Sequence, residues 1–233
     1  MKSKIISDIR IFKSTVPNVD SSGLPSEYIE STDLLTTIKR IVMKLRENGF
    51  SLGDFDRLYL NFTTCLKDGE IMPADRSRDY YHPWYRYYDI GVDEAFYAVL
   101  DEDENLERII ARVKQTLMQY FVTDAKTAAL VESCFKAALE QKEQMLMCFK
   151  VKETETRRAV VYLRCLDSGY FFPLLCVYDT DGKELLRKDL EPCMELNAFG
   201  VIQLSNKKVS IKPRENALSH DLEPITFTIG HLY

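Results

Sequence analysis

The order of the hydrophobic patterns predicts an α+β fold: a mixed helix/strand N-terminal part, residues 1–143, followed by an antiparallel β-meander C-terminal part, residues 144–233. Three observations carry this expectation. Every apolar stripe with helical spacing lies before residue 143, and every segment after Gln144 reads as extended, with tight connections. The composition, 45% hydrophobic and 29% charged, belongs to a chain that buries a core rather than to a disordered one. The sequence leaves open whether the two parts are separate domains or one.

Lys4 to Val16 holds Ile5, Ile6, Ile9, Ile11 and Phe12 and reads as a strand, followed by a Ser-, Asn- and Gly-containing loop from Pro17 to Pro25. A helix comes next. Leu34, Leu35, Ile38, Ile41, Val42 and Leu45 share one face, Ser31 or Thr32 caps its first amides, and Asn48-Gly49 stops it. From Phe55 to Leu66 the period changes to two, with Leu58, Leu60 and Phe62 alternating with Tyr59, Asn61 and Thr63. Lys67 to Glu70 turns the chain, and a polar stretch from Pro73 to Asp79 leads into the aromatic run Tyr80 to Tyr88, a strand from Trp84 to Ile90. Two helical stripes follow: Leu106, Ile109, Ile110, Val113, Leu117 and Phe121, then Leu130, Val131, Cys134, Phe135, Ala138 and Leu139. Beyond Gln144, strands are expected at 145–152, 158–166, 170–178, 184–190, 199–205, 208–212 and 225–229.

The longest apolar run, Tyr170 to Tyr178, has nine residues and a proline, too short to span a bilayer. Asp8 and Arg10 interrupt the place where a signal peptide carries its apolar stretch, so the expectation is a soluble, cytoplasmic protein without membrane contact. The six cysteines show no Cys-x-x-Cys spacing and sit mostly among apolar residues, which favours buried thiols over disulfides or zinc.

Familiar enzyme signatures do not assemble. Gly49-Phe-Ser51-Leu-Gly53 fits the Gly-x-Ser-x-Gly elbow formally, but that serine must follow a strand and open a helix, and here the order is reversed. His82, His220 and His231 lie far apart without metal-ligand spacing. There is no Gly-x-Gly-x-x-Gly and no phosphate loop. The expectation is therefore no catalytic residue, no metal and no cofactor. A pI near 5.4 speaks against nucleic acid as a partner.

Charge and aromatic content point instead to protein binding. Of the net charge of −5, the excess acidity lies wholly in residues 1–143, and Asp89 to Glu107 holds eight acids and no base. Alternation puts Trp84, Arg86, Tyr88 and Ile90 on one side of their strand and Tyr85, Tyr87 and Asp89 on the other. One row can simply pack beneath the helices, and Asp101 to Glu104 can simply supply negative charge at a helix start. The functional reading is a partner-binding surface of Trp84, Tyr85, Arg86, Tyr87, Asp89, Asp93, Glu94, Asp101, Glu102, Asp103 and Glu104, in which acids attract a basic protein and rings hold it.

The segments Leu58 to Leu66 and Trp84 to Phe96, in a layout of helix, strand, turn, aromatic strand and acidic helical stretch, resemble small bacterial immunity proteins of polymorphic toxin systems, over residues 30–143 at most. The resemblance implies a cytoplasmic, non-enzymatic inhibitor that neutralises a cognate toxin, often a basic nuclease, by direct binding. It transfers no catalytic residue and does not reach the C-terminal part. Two alternatives stand beside it: an enzyme of unrecognised type with a site between the two parts, and a carbohydrate-binding or structural module. The oligomeric state is not set by the sequence.

Overall fold

The computed structural model describes residues 3–17, 27–29, 31–74 and 83–230. The loop expected at 17–25 (from residue 18 on), the polar stretch at 75–79, Tyr80 to His82 and His231 lie outside the described residues. Chain contacts divide the protein into two compact units, Met1–Lys142 and Glu143–Tyr233.

The N-terminal unit runs β1 (Lys4–Ile5), β2 (Asp8–Lys13), β3 (Glu27–Tyr28), α1 (Thr32–Glu47), β4 (Ser51–Gly53), β5 (Arg57–Thr63), β6 (Ile71–Ala74), β7 (Tyr85–Gly91), α2 (Glu94–Ala98), α3 (Leu106–Tyr120) and α4 (Ala125–Gln141). The one strand expected over residues 4–16 is two. The chain breaks at Ile6 and Ser7, whose amides donate to Phe50 O (3.0 Å) and Asp56 O (2.7 Å). Before the break β1 pairs with β4; after it β2 enters a five-stranded sheet in the order β3-β2-β5-β7-β6. β2, β5 and β7 are mutually parallel, and the edge strands β3 and β6 are antiparallel to their neighbours.

α1 forms where the stripe and caps place it. Ser31 Oγ accepts from Leu34 N at 3.2 Å, and Leu34, Ile38, Ile41 and Leu45 are buried. At the far end the Asn48 side chain donates to Lys44 O at 2.9 Å, and Gly49 takes φ +69°. An alanine Cβ at Gly49 would meet nothing within 4 Å, so only the left-handed backbone opposes it. Gly49→Ala is expected to cost about 1 kcal/mol in urea denaturation, and a change below about 0.3 kcal/mol would count against this reading.

Register fixes what each sheet face carries. Ile9, Ile11, Leu58, Leu60, Phe62, Tyr88 and Ile90 share the face on which the helices pack: Tyr88 meets the rings of Tyr120 and Phe121, and Phe62 meets Phe96. Arg10, Phe12, Tyr59, Asn61, Tyr85, Tyr87 and Asp89 share the opposite face. β5 is buried along both rows, because it lies between parallel neighbours in the middle of the sheet. In α4 the buried stripe is Val131, Cys134, Phe135 and Ala138, whereas Leu139, expected within it, is exposed at the stripe's edge. α2 was not read from the sequence; five residues are too few to show a helical period.

The C-terminal unit is the expected antiparallel meander. β8 (Met147–Glu153), β9 (Arg157–Cys165), β10 (Phe171–Asp179) and β11 (Glu184–Asp189) form one sheet in the order β11-β10-β9-β8. β12 (Val201–Leu204), β13 (Lys208–Lys212) and β14 (Ile225–Thr228) form a second. Alternate residues of both sheets, among them Val161, Leu175, Val177, Ile202, Val209 and Ile211, make one core. Pro173 is tolerated in β10 because it sits where pairing with the β11 side ends: Leu190 N donates to Pro173 O at 2.9 Å, and no N–H is needed in return.

All six cysteines are thiols. Burial pushes the Cys134 thiol up from 9.0 to about 11, and burial raises Cys176 as well. Between those values for Cys134 the unfolded chain releases a proton that the native state keeps. Its contribution is therefore intact below about pH 9 and lost as pH rises toward 11. Iodoacetamide under native conditions is expected to label exposed Cys65 first and to spare Cys134 and Cys176 until unfolding, as peptide mass mapping would show.

Candidate functional site

The parallel topology brings three separated pieces of sequence to one place. Lys13 ends β2, Ser31 to Asp33 begin α1, and the 101–103 turn follows α2. With Glu27 and Tyr28 of β3 these residues line an open cleft of about 590 Å³. The carboxyl ends of parallel strands next to a helix start are where open sheets with helices tend to hold ligands.

Charge in the cleft is lopsided. Its described lining has carboxylates from Glu27, Asp33, Asp101 and Asp103 against the single ammonium of Lys13. Lys13 donates to Asp101 and lies 3.5 Å from Glu27 Oε2. The Asp101 hydrogen bond, working against partial burial, holds the Lys13 ammonium protonated above its usual range. Ser31 Oγ donates to Asp103 Oδ1 at 2.6 Å while accepting from Leu34 N, so one hydroxyl both caps α1 and tethers the acidic turn. Burial, and after it the nearby Glu27 carboxylate, raise the Tyr97 phenol.

At the cleft's rim Tyr28 joins a ring cluster on the sheet face opposite the helices. Its ring meets Phe12 edge-on at 5.4 Å. Phe12 touches Tyr59 and Tyr87, Tyr59 stacks on Tyr85 at 4.9 Å, and the Arg10 guanidinium lies 5.5 Å from the Tyr59 ring centre. Tyr28 is 37% exposed, whereas Tyr59 and Tyr87 are 7% exposed. Among the described rings of this cluster Tyr28, at its edge, is the exposed one, while Phe12 and Tyr85 are half-buried.

The expected surface therefore does not form as one patch. Asp101 and Asp103 enter the cleft, and Glu102 and Glu104 are exposed beside it. Asp93 caps α2 by accepting from Phe96 N at 2.7 Å, and Glu94 is exposed in that helix's first turn. Tyr87 and Asp89, counted as surface in the binding reading, are buried; Asn61 Nδ2 donates to Asp89 Oδ1 at 2.9 Å inside the sheet. Trp84, Tyr85 and Arg86 lie at the opposite end of β7 from Asp93, and the strand between them is roughly 20 Å long at about 3.3 Å per residue. There Arg86 pairs with Asp54 at 2.9 Å and covers the Phe55 ring, and the Arg57 guanidinium lies 5.8 Å from the Trp84 ring centre. Asp101 to Glu104 stand at the start of the helical segment, as expected: Asp103 to Asn105 form a 3-10 turn, with Asp103 and Glu104 in its first turn, that runs directly into α3 at Leu106, while Lys13 pairs with Asp101 and Ser31 donates to Asp103.

Sequence reasoning missed Lys13, Glu27, Tyr28, Ser31 and Asp33 as members of one site. The signal that finds them is parallel pairing of β2 and β5 across α1, which sets the end of β2 beside the start of the helix. Ser51 of the hydrolase-like motif donates to Lys4 O at 2.8 Å and accepts from Gly53 N in a short strand after α1, not at a nucleophile elbow. His220 sits 3.0 Å from Asp221 with both side chains largely exposed. Among the described residues no group of three or more His, Cys, Asp or Glu is placed to hold a metal ion, and no helix is long and apolar enough to cross a membrane. Compared with known proteins, the chain matches no family model, no curated protein and no solved structure.

Proposed function

We propose that this is a non-enzymatic binding protein that captures a basic protein partner at the acidic cleft, acting as an immunity protein that neutralises a toxin. The observation that carries the reading is the four-to-one excess of carboxylates over lysine in a cleft whose rim presents the Tyr28 ring. Acidic potential speeds encounter with a cationic surface, and a partly exposed ring supplies apolar contact once the complex forms. The resemblance of residues 30–143 to toxin-immunity proteins agrees with this role and adds the expectation that capture inhibits the partner.

The test is capture from a lysate of the source cells, with mass identification of what is retained and assay of its activity when bound. Wild type is expected to hold a stoichiometric basic protein that loses activity on binding, more weakly as salt rises. Asp33→Lys with Asp103→Lys is expected to slow association at least about tenfold. Lys13→Gln deepens the negative potential, so it should speed association. Equal capture by wild type and both variants would overturn the reading.

A further inference from the structure

At one end of the C-terminal unit three turns and the end of a strand meet around a second cleft, of about 490 Å³. Thr156 comes from the β8–β9 turn, Asp179 ends β10, Lys183 comes from the β10–β11 turn, Asn206 from the β12–β13 turn, and Gly230 follows β14. Arg157, the first residue of β9, sits on the same face as Ala159 and Val161 and so faces the core shared by the two sheets.

The Arg157 guanidinium is not satisfied there. Its Nη1 is buried and has no hydrogen-bond acceptor. Asp179 stands opposite it in the β9–β10 register, yet Asp179 Oδ1 already accepts from the backbone amides of Asp181 (3.0 Å) and Lys183 (2.9 Å). The neighbouring Arg158 takes Glu153 at 3.1 Å, while neither Arg157 nor Lys183 forms an ion pair with a described carboxylate. A buried guanidinium nitrogen without an acceptor is costly, so an acceptor brought by a bound ligand would be favoured at this position.

The other donors fit one kind of group. Thr156 Oγ1 donates to Asn206 Oδ1 at 2.9 Å, which turns the amide and leaves its Nδ2 hydrogens to donate. The described titratable groups lining the cleft are Arg157, Lys183 and Asp179, two positive and one negative. A singly charged anion neutralises that balance, whereas a doubly charged phosphate overbalances it and meets Asp179. A planar carboxylate also matches the fork of an arginine. The cleft is of a size that takes a small molecule.

We infer that this cleft binds a small-molecule carboxylate, held by Arg157 with Lys183 and Asn206. The site is independent of the acidic cleft and gives the C-terminal unit a role of its own. The experiment is a titration of the full-length, isotope-labelled protein with sodium acetate, followed through the amide signals of Lys183 and Asn206, with sodium chloride adjusted to hold ionic strength constant. Saturable shifts are expected with acetate, and inorganic phosphate is expected to bind more weakly. Arg157→Met should abolish saturation while leaving the rest of the spectrum in place, and Lys183→Met should weaken binding by about tenfold. If Arg157→Met does not fold, the exposed Lys183→Met carries the test. No saturable response to acetate, tighter binding of phosphate, or unchanged affinity in the variants would overturn the inference.

Discussion

Gly91→Ala is expected to destabilise the N-terminal unit by about 3 kcal/mol or more. Gly91 closes β7, donating its amide to Glu70 O at 2.8 Å and accepting from Gly69 N at 3.0 Å, so the 67–70 turn is clasped against it. A Cβ at this position would lie 1.9 Å from Lys67 O and 2.8 Å from Lys67 C. Both are backbone atoms, which no rotamer change can move aside. Either β7 or the turn must shift, and with it the hydrogen bonds that join them. Urea denaturation should show a lower midpoint with a steep transition, or failure to fold on expression. Gly230→Ala is the matched control: its Cβ meets nothing within 4 Å and its φ lies outside the left-handed region. A Gly91→Ala variant as stable as that control would mean the turn yields freely, and the argument from close approach would be lost.

Phe62→Ala is expected to cost about 3–5 kcal/mol. Phe62 is wholly buried in β5, between parallel neighbours, and meets Phe96 edge-on at 6.4 Å. Truncation leaves a cavity that a central strand, paired on both sides, cannot close by moving. Phe62→Leu refills most of that volume and should cost about 1.5 kcal/mol or less. The pair also links packing to the candidate site. Phe96 is the buried anchor of α2, and the turn that carries Asp101 and Asp103 follows that helix directly. If Phe62 positions α2, Phe62→Ala should also weaken capture at the acidic cleft, whereas Glu132→Gln, an exposed change on α4, should leave capture as it was. Denaturation by urea and capture measured on the same preparations separate the two effects. Equal stability of Phe62→Ala and Phe62→Leu would sink the packing argument.

The two clefts differ in sign and place. In the N-terminal unit acids outnumber the one lysine, and the proposed ligand is a basic protein surface. In the described lining of the C-terminal cleft an arginine with one unpartnered guanidinium nitrogen and a lysine outweigh one aspartate, and the inferred ligand is a carboxylate. The double reversal of Asp33 and Asp103 and the Arg157→Met change therefore test different ligands, and each serves as the control for the other.

What the sequence determined by itself is the part of the molecule made by near neighbours. α1 was legible to within a residue because its cap at Ser31, its apolar stripe and its stop at Asn48-Gly49 all act across one or two helical turns. The meanders of the C-terminal unit were legible because most of their turns are short, so that β8 to β11 and β12 to β14 each pair strand with next strand, while the break into two sheets falls at the longer 190–200 connection. Alternation likewise separated Tyr88 and Ile90 from Tyr85, Tyr87 and Asp89, which do occupy opposite faces. Only the tertiary structure decided that both of those faces are covered near the end of β7, that Asp93 caps a helix while Asp101 pairs with Lys13, and that Glu27, Asp33 and Asp103 share a cleft. Parallel pairing of β2, β5 and β7 joins residues tens of positions apart, and no local spacing records which strands will meet. An acid's partner depends on that pairing, so the acidic character of the segment could be read from the chain, while the place where it acts is set by the sheet.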